Sequence, residues 1–280
     1  MRPAAPRSPL RYAGGKTRGV ETIMKFIPDG ETICSPFLGG GSVELACANK
    51  GMRVDGYDNF KPLVEFWQCI LKDPAKLADT VQHHYPLPKE EFYALQKSQG
   101  KSKSKYERAA RFYVLNRASF SGTTMSGGMS PNHPRFTKSS IDRIRNFEAD
   151  NLSVRQADFK ESIPESEEHF LYLDPPYMLD QKLYGRNGDM HAGFDHEGLA
   201  EILKGRDKWI LSYNNSEEVR HMYGGYQFYY PKWSYGMSND KEARELLVLS
   251  HDVAERSRDL AEALAPLCRN TTEKGAPTDR

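Results

Sequence analysis

Val20, Ile23, Met24 and Ile27 recur at the i, i+3, i+4, i+7 spacing of one helical face, and Pro28-Asp29-Gly30 ends the helix they predict. Residues 31–37, Glu-Thr-Ile-Cys-Ser-Pro-Phe, read as a short buried strand running into Gly39-Gly40-Gly41, with Ser42 placed to cap a helix over 43–49. A second strand over 52–58 ends in Asp58, about 20 residues after the glycines, and a helix follows through Leu63, Trp67, Ile70 and Leu71. Strand, glycine turn, helix and acid-tipped strand are the opening of a nucleotide-binding βαβ unit.

The pattern changes from about 74 to 150, which is mostly helical and polar. Between 97 and 117, seven cations (Lys97, Lys101, Lys103, Lys105, Arg108, Arg111 and Arg117) face one acid, Glu107, an excess suited to a phosphate-facing surface. Residues 119–134 form a long loop without apolar periodicity. The α/β rhythm then resumes. A strand over 152–157 leads to Asp158, and one over 169–173 delivers Asp174-Pro175-Pro176-Tyr177 at its carboxyl end. Asp195-His196 starts a helix through Leu199, Ile202 and Leu203. Strand 209–213 and a Ser216-capped helix follow, and strands 226–231 and 245–250 are predicted to pair antiparallel. Residues 253–280 read as a charged, disordered tail, and no internal repeat is present.

With 280 residues and 31.9 kDa, the chain can bury one large α/β core and a smaller module. A net charge of +1 does not by itself indicate a nucleic-acid partner, so the local basic excess carries that inference. Cys34, Cys47, Cys69 and Cys268 form no Cys-x-x-Cys pair, which argues against a zinc cage or disulfide framework and for reduced thiols in a cytoplasm. No apolar run reaches bilayer length, so no membrane partner is expected. His83, His84, His191 and His196 lack companions at ligand spacing, and no metal is expected. Gly14-Gly15-Lys16-Thr17 resembles the end of a phosphate-binding loop, but Leu10 stands where that loop needs glycine and no strand precedes it.

Asp174-Pro175-Pro176-Tyr177 carries the sharpest chemistry. Its bland reading is a stiff turn with a solvated acid and a packed ring; its position at a strand's carboxyl end, where open α/β sheets place ligands, favours a site. The exocyclic amine of adenine is a poor nucleophile because its lone pair is delocalised into the ring. A carboxylate and a backbone carbonyl that each accept one N–H help localise that pair for in-line attack on a methyl carbon. Asp174 and the Pro175 carbonyl suit those tasks, Pro176 stiffens the turn, and Tyr177 offers a face for a base taken out of the duplex.

Phe37-Leu38-Gly39-Gly40-Gly41 matches the Phe-x-Gly-x-Gly motif of S-adenosylmethionine (AdoMet)-dependent amino-methyltransferases, and Asp-Pro-Pro-Tyr is their catalytic motif. Tyr12-Ala-Gly-Gly-Lys16 resembles the Trp-Ala-Gly-Gly-Lys element that opens Dam-like adenine methyltransferases. The motif order is that of the alpha group, and Asn116-Arg117-x-x-Phe120-x-Gly122, Asp195-His196-x-x-Leu199-Ala200 and Glu245-Leu246-Leu247 extend the likeness over residues 8–250. The resemblance implies a Rossmann-like, mixed seven-stranded sheet built from 8–72 and 151–252, with a mostly helical target-recognition domain at 73–150 inserted after the second strand and helix. It implies AdoMet as cofactor, with Phe37, Gly39 and Gly41 along it, Tyr12 and Lys16 near its methionine and sulfonium side, Asp58 on the ribose, and Asp158 and Phe159 at its adenine. Double-stranded DNA is the implied partner, contacted through Lys101, Lys103, Lys105, Arg111, Asn116, Arg117, Ser121 and Thr123, with a cognate restriction endonuclease as a further possible partner. Members that methylate GATC carry an Arg-Tyr-Asn-like element where this chain has Thr123-Thr-Met-Ser-Gly-Gly128, so a different target is expected.

Two rivals stay open at this point. The acceptor is another amine, such as the cytosine 4-amino group or an RNA adenine, or the chain is a DNA-binding relative without turnover. Aspartate at 174 favours DNA adenine over the first, and the intact Lys16, Phe37, Asp174 and Tyr177 argue against the second.

Overall fold

The structure, a computed structural model, describes residues 7–12, 14–122, 124, 127–130, 135–178, 193–231 and 245–258. Residues 251–258 are helical and bury Val253 and Ala254, so the start of the 253–280 segment is ordered and not a disordered tail. Thr123, His191, Cys268 and the rest of that segment from 259 onward lie outside the described residues, as do the Ser121 side chain and part of the 119–134 loop. At the centre is a seven-stranded sheet in the order β3-β2-β1-β4-β5-β7-β6. Strands β1 (Ile33–Ser35), β2 (Val54–Asp58), β3 (Leu152–Gln156), β4 (Phe170–Leu173) and β5 (Trp209–Asn214) run parallel, while β7 (Glu245–Leu249) lies antiparallel between β5 and β6 (Gln227–Tyr229). This is the mixed methyltransferase sheet that the resemblance implied, with the last strand pair antiparallel.

The direction of winding reverses between β1 and β4, whose neighbours step outward to β2 on one side and β5 on the other. Such a switch point opens a crevice beyond the carboxyl ends of the parallel strands. The residues that follow Ser35, Asp58 and Leu173 are thereby gathered at one edge.

Both faces of the sheet are covered, and strand side chains alternate between two buried clusters: Phe170 and Tyr172 join one, Leu171 and Leu173 the other. The first cluster takes in α2 (Ser42–Asn49), α3 (Lys61–Lys72), α4 (Pro74–Gln82), α5 (Lys89–Ser98), α6 (Lys105–Ala118) and α7 (Lys138–Arg145). The second packs α8 (Phe159–Ser162), α9 (His196–Leu203) and α10 (Glu217–Met222). Helix α6 runs antiparallel to α3. Arg108 grips Glu65 at 2.6 and 2.8 Å, Phe66 stacks on Tyr113 with centroids 5.5 Å apart, and Phe60 meets Phe112. The Lys105 end of α6 thus lies beside the end of α3, and its Asn116 end beside the start.

Two local expectations change. Helix α1 spans only Val20–Ile23, because Lys25 and Phe26 donate their N–H groups three residues back, tightening the last turn. Ser42 is the first helical residue and not the cap of α2: Gly41 holds that position at φ 66°, and Ser42 Oγ instead lies 3.3 Å from Thr17 Oγ1.

Candidate active site

A cavity of about 250 Å³ opens at the switch point, walled by the 12–16 segment, the turn after β1, the tips of β2 and β3, and Asp174 to Tyr177 after β4. The glycine turn is built by close approach. A Cβ on Gly40 would stand 2.9 Å from Tyr12 Cβ, and one on Gly41 2.8 Å from Trp67 Cζ2, so only glycine admits both rings. Trp67 Nε1–H donates to the Gly39 carbonyl at 3.0 Å and fixes the turn from below.

Asp58 reaches back across this turn, its carboxylate accepting the N–H groups of Phe60 at 2.9 Å and Gly39 at 3.1 Å. Burial raises its pKa to about 6 against the pull of those donors. Asp158 lines the cavity and also caps α8, accepting from Lys160 N–H at 3.0 Å. Phe37, Phe159 and Phe194 form an aromatic trio with centroids 5.2 to 5.8 Å apart.

At the other end of the cavity Lys16 is almost wholly buried, and its ammonium donates to both Asp174 oxygens, at 2.7 and 2.9 Å, and to the Gly14 carbonyl at 2.9 Å. The resemblance implied a position for Lys16 near the methionine and sulfonium side of the cofactor; in the structure its ammonium sits on the strand-tip acid. Burial lifts Asp174 to about 6, with Lys16 opposing and Glu245 assisting the rise. Tyr177 lies under the same ammonium, 5.0 Å from it to the ring centroid. Its hydroxyl donates to Glu245 Oε1 at 2.8 Å, and burial, followed by the Asp174 and Glu245 charges, raises its pKa far enough that it keeps its proton.

Several contributors carried no role in the sequence. Glu245 opens β7, so the β5–β7 pairing brings it to the strand-tip acid from 71 residues away in sequence; the Glu245-Leu246-Leu247 string marked it only as a recurrent motif. Asn214, at the tip of β5, accepts Met178 N–H at 3.1 Å and donates to its carbonyl at 3.2 Å, steadying the segment after Tyr177. Glu44, buried in the first turn of α2, accepts from Ser35 Oγ–H at 2.6 Å and is pushed up by burial to about 7. Phe194 precedes the Asp195 cap of α9, whose position the Asp195-His196 pair marked correctly.

The residues expected at DNA divide. Lys101, Lys103 and Lys105 are exposed near the start of α6, Lys105 bonding to Gln68. Arg111 is paired with Glu107 at 2.9 Å. Asn116 is fully buried, which corrects its reading as a DNA contact: its amide accepts Arg11 N–H and donates to the Arg11 carbonyl, both at 2.8 Å. Arg117 is half-buried and donates twice to the Arg135 carbonyl. Cys34, Cys47 and Cys69 are buried free thiols. Among the described residues no three His, Cys, Asp or Glu side chains form a metal-holding group, and no helix is long and apolar enough to cross a membrane.

A glycine turn at one strand tip, an acid at the tip of the next strand beyond the switch, and a single cleft joining them define a methyltransferase of the mixed α/β class. Residues 12–237 match the model of the D12 class N6 adenine-specific DNA methyltransferases, and the chain belongs to that family of AdoMet-dependent enzymes. It is similar to the Lactococcus lactis subsp. cremoris Type II methyltransferase M1.LlaDCHI, 22% identical over 209 residues that make up 69% of this chain and 73% of that protein. The DNA adenine methylase of Vibrio cholerae is 24% identical over 269 residues, 87% of this chain and 95% of its own. That of Escherichia coli K12 is 24% identical over 183 residues, 61% and 65%. The activity is therefore N6-adenine-specific DNA methylation, and DNA is the substrate.

Proposed function

We propose that the switch-point cavity holds AdoMet and one adenine taken out of the duplex, and that Asp174 receives the adenine amine. The observation that carries this is the joined cleft, with the glycine turn and Asp58 at one end and Asp174 and Tyr177 at the other. The residues fit the cofactor: the Gly39–Gly41 turn lines the cavity without side chains, the buried Asp58 offers acceptors for ribose hydroxyls, and the Phe37, Phe159 and Phe194 rings suit a purine edge. Asp158, whose carboxylate also caps α8, supplies a polar partner beside those rings. Tyr12, against the glycines, and Lys16 bound the sulfonium side. AdoMet, when bound, supplies a methyl group on a positively charged sulfur.

Asp174 accepts one N–H of the adenine amine and the Pro175 carbonyl the other, while Pro175 and Pro176 hold the turn and Tyr177 offers its face to the ring. As nitrogen gains the methyl it sheds one proton, and the ionised Asp174 carboxylate, kept charged by Lys16, is the nearest acceptor. The 73–150 segment serves as the recognition region around 8–72 and 151–252, with Arg117 at the end of α6 that lies against Arg11, next to Tyr12 of the cavity, and Ser121 and Thr123 following it in sequence. Lys101 and Lys103 precede α6, Lys105 opens it and Arg111 lies midway along it. In this reading they meet duplex at a distance from the target base. The Thr123–Gly128 segment favours a target other than GATC, and the name of the Type II relative favours a cognate endonuclease as partner.

Asp174→Ala should abolish labelled methyl transfer to mixed-sequence DNA while leaving AdoMet binding within a few-fold. Normal turnover by that variant would remove Asp174 from the reaction, and modified-base sequencing of the wild-type product reads the target.

A further inference from the structure

Two of the seven cations in the basic surface read from the sequence, Arg108 and Arg111, are spent on carboxylates inside the molecule, as is Arg145 nearby. Arg108 holds Glu65, Arg111 holds Glu107 and Arg145 holds Asp79. The four exposed lysines, Lys97, Lys101, Lys103 and Lys105, sit at or before the start of α6, and the 14 residues of that helix carry the chain about 20 Å to its other end.

A different cation cluster stands at the end that abuts the cleft. Asn116 clamps the Arg11 backbone there, and a Cβ on Gly122 would lie 2.4 Å from the Arg11 carbonyl oxygen, so the chain just before Tyr12 is pressed against the end of α6. Arg11 Nη1–H donates to the Ser119 carbonyl at 3.1 Å, and Arg117 donates through Nε and Nη2 to the Arg135 carbonyl at 3.1 and 2.9 Å. Tyr113, one turn before Arg117, donates its hydroxyl proton to the Ser140 carbonyl at 2.9 Å, which brings α7 and its Arg143 alongside. Among the described residues none of the four arginines forms an ion pair with a carboxylate, although three other arginines of α6 and α7 do. Burial, followed by the repulsion of Arg143, Arg11 and Arg135, holds the Arg117 guanidinium below its usual pKa.

Four guanidinium groups gathered without acids cost the folded protein repulsion, which inside the molecule is met only by hydrogen bonds from Arg11 and Arg117 to backbone carbonyls. They suit a polyanion that arrives from outside, and Arg11 adjoins Tyr12, which lines the cleft. We propose that Arg11, Arg117, Arg135 and Arg143 form a clamp for the phosphodiester backbone of duplex DNA beside the mouth of the cavity. The clamp rests on the reading that the cavity receives a DNA base, and it moves the principal phosphate contact from the lysines of the 97–105 stretch to this arginine cluster.

Arg135 and Arg143 are exposed, so both can be changed without opening the core. Binding of the Arg135→Gln/Arg143→Gln protein to a mixed-sequence duplex, measured against salt, should show the slope of log affinity on log salt reduced by about 2, with affinity at physiological salt down at least tenfold. Unchanged AdoMet binding and thermal midpoint report an intact fold. Lys50→Gln/Lys204→Gln removes two charges from the C-terminal ends of α2 and α9, whose opposite ends face the cleft, and should leave the slope unchanged. An unaltered slope in the arginine variant, or an equal loss in the lysine variant, would overturn the clamp while wild-type methyl transfer stood. Wild-type protein that methylates no DNA would overturn the reading beneath it.

Discussion

Asp174 has two competing neighbours, and their balance decides when it can work. Lys16 lowers its pKa; burial and Glu245 raise it, and Tyr177 and Glu44 complete the titratable groups around it. With the folded value near 6, the carboxylate is ionised at neutral pH and takes up a proton as pH falls through 6, so single-turnover methyl transfer should decline on that acid side. Glu245→Gln removes the charge that raises Asp174, which moves the decline to lower pH. It also takes a charged acceptor from the Tyr177 hydroxyl and should lower the maximal rate about tenfold. A merely structural role for Glu245 would lower the rate and leave the pH profile where it was. The Asp174 motif was legible because its four residues are contiguous and follow a strand. Glu245 was not, because its place depends on β7 pairing with β5 as well as with β6, and the predicted antiparallel pair does not specify that second neighbour.

At the scale of elements, the strand, glycine turn and helix from 33 to 49 were readable from periodicity and composition, but the start of the helix was assigned to the wrong residue. A serine before an apolar run normally caps by its hydroxyl. Here the chain must turn so sharply to clear Tyr12 and Trp67 that Gly41 takes the cap position in a left-handed conformation, φ 66°. Gly41→Ala combines that backbone strain, about 1 kcal/mol or more, with a Cβ 2.8 Å from the Trp67 ring. Moving the indole breaks its bond to the Gly39 carbonyl and tilts the turn. Calorimetric titration should show AdoMet affinity reduced by at least tenfold in this variant; affinity equal to wild type would mean that the turn does not shape the cofactor site. Helix α6 teaches the complementary lesson about charge. Counting cations along a sequence treats each as solvated, and the antiparallel pairing with α3 neutralised Arg108 through a glutamate 43 residues away.

The inserted segment from 73 to 150 reads in sequence as a separate polar module, yet its helices bury Leu77, Phe92, Phe112 and Ile141 in the same cluster as Val54 and Phe170 of the sheet. Polarity averaged over a segment hides this, because an amphipathic helix with a basic outer face still has an apolar inner one. Helix α3 is the hinge of the shared core: it packs on the sheet and offers Phe66 to Tyr113 of α6 and Trp67 to Phe147 beyond α7. Neither part can be removed without exposing that surface to water, so the molecule should unfold as one cooperative unit. Helical circular dichroism, to which the 73–150 helices contribute alongside those of the rest of the chain, and the fluorescence of Trp67 and Trp209, which sit in the two different clusters, should then share one thermal midpoint. AdoMet in excess should raise both by the same increment, since a ligand of the native state stabilises the whole unit. A helical transition that precedes the fluorescence change, or that fails to move with AdoMet, would show that the 73–150 segment folds on its own account and that the shared core does not couple it to the switch-point cavity.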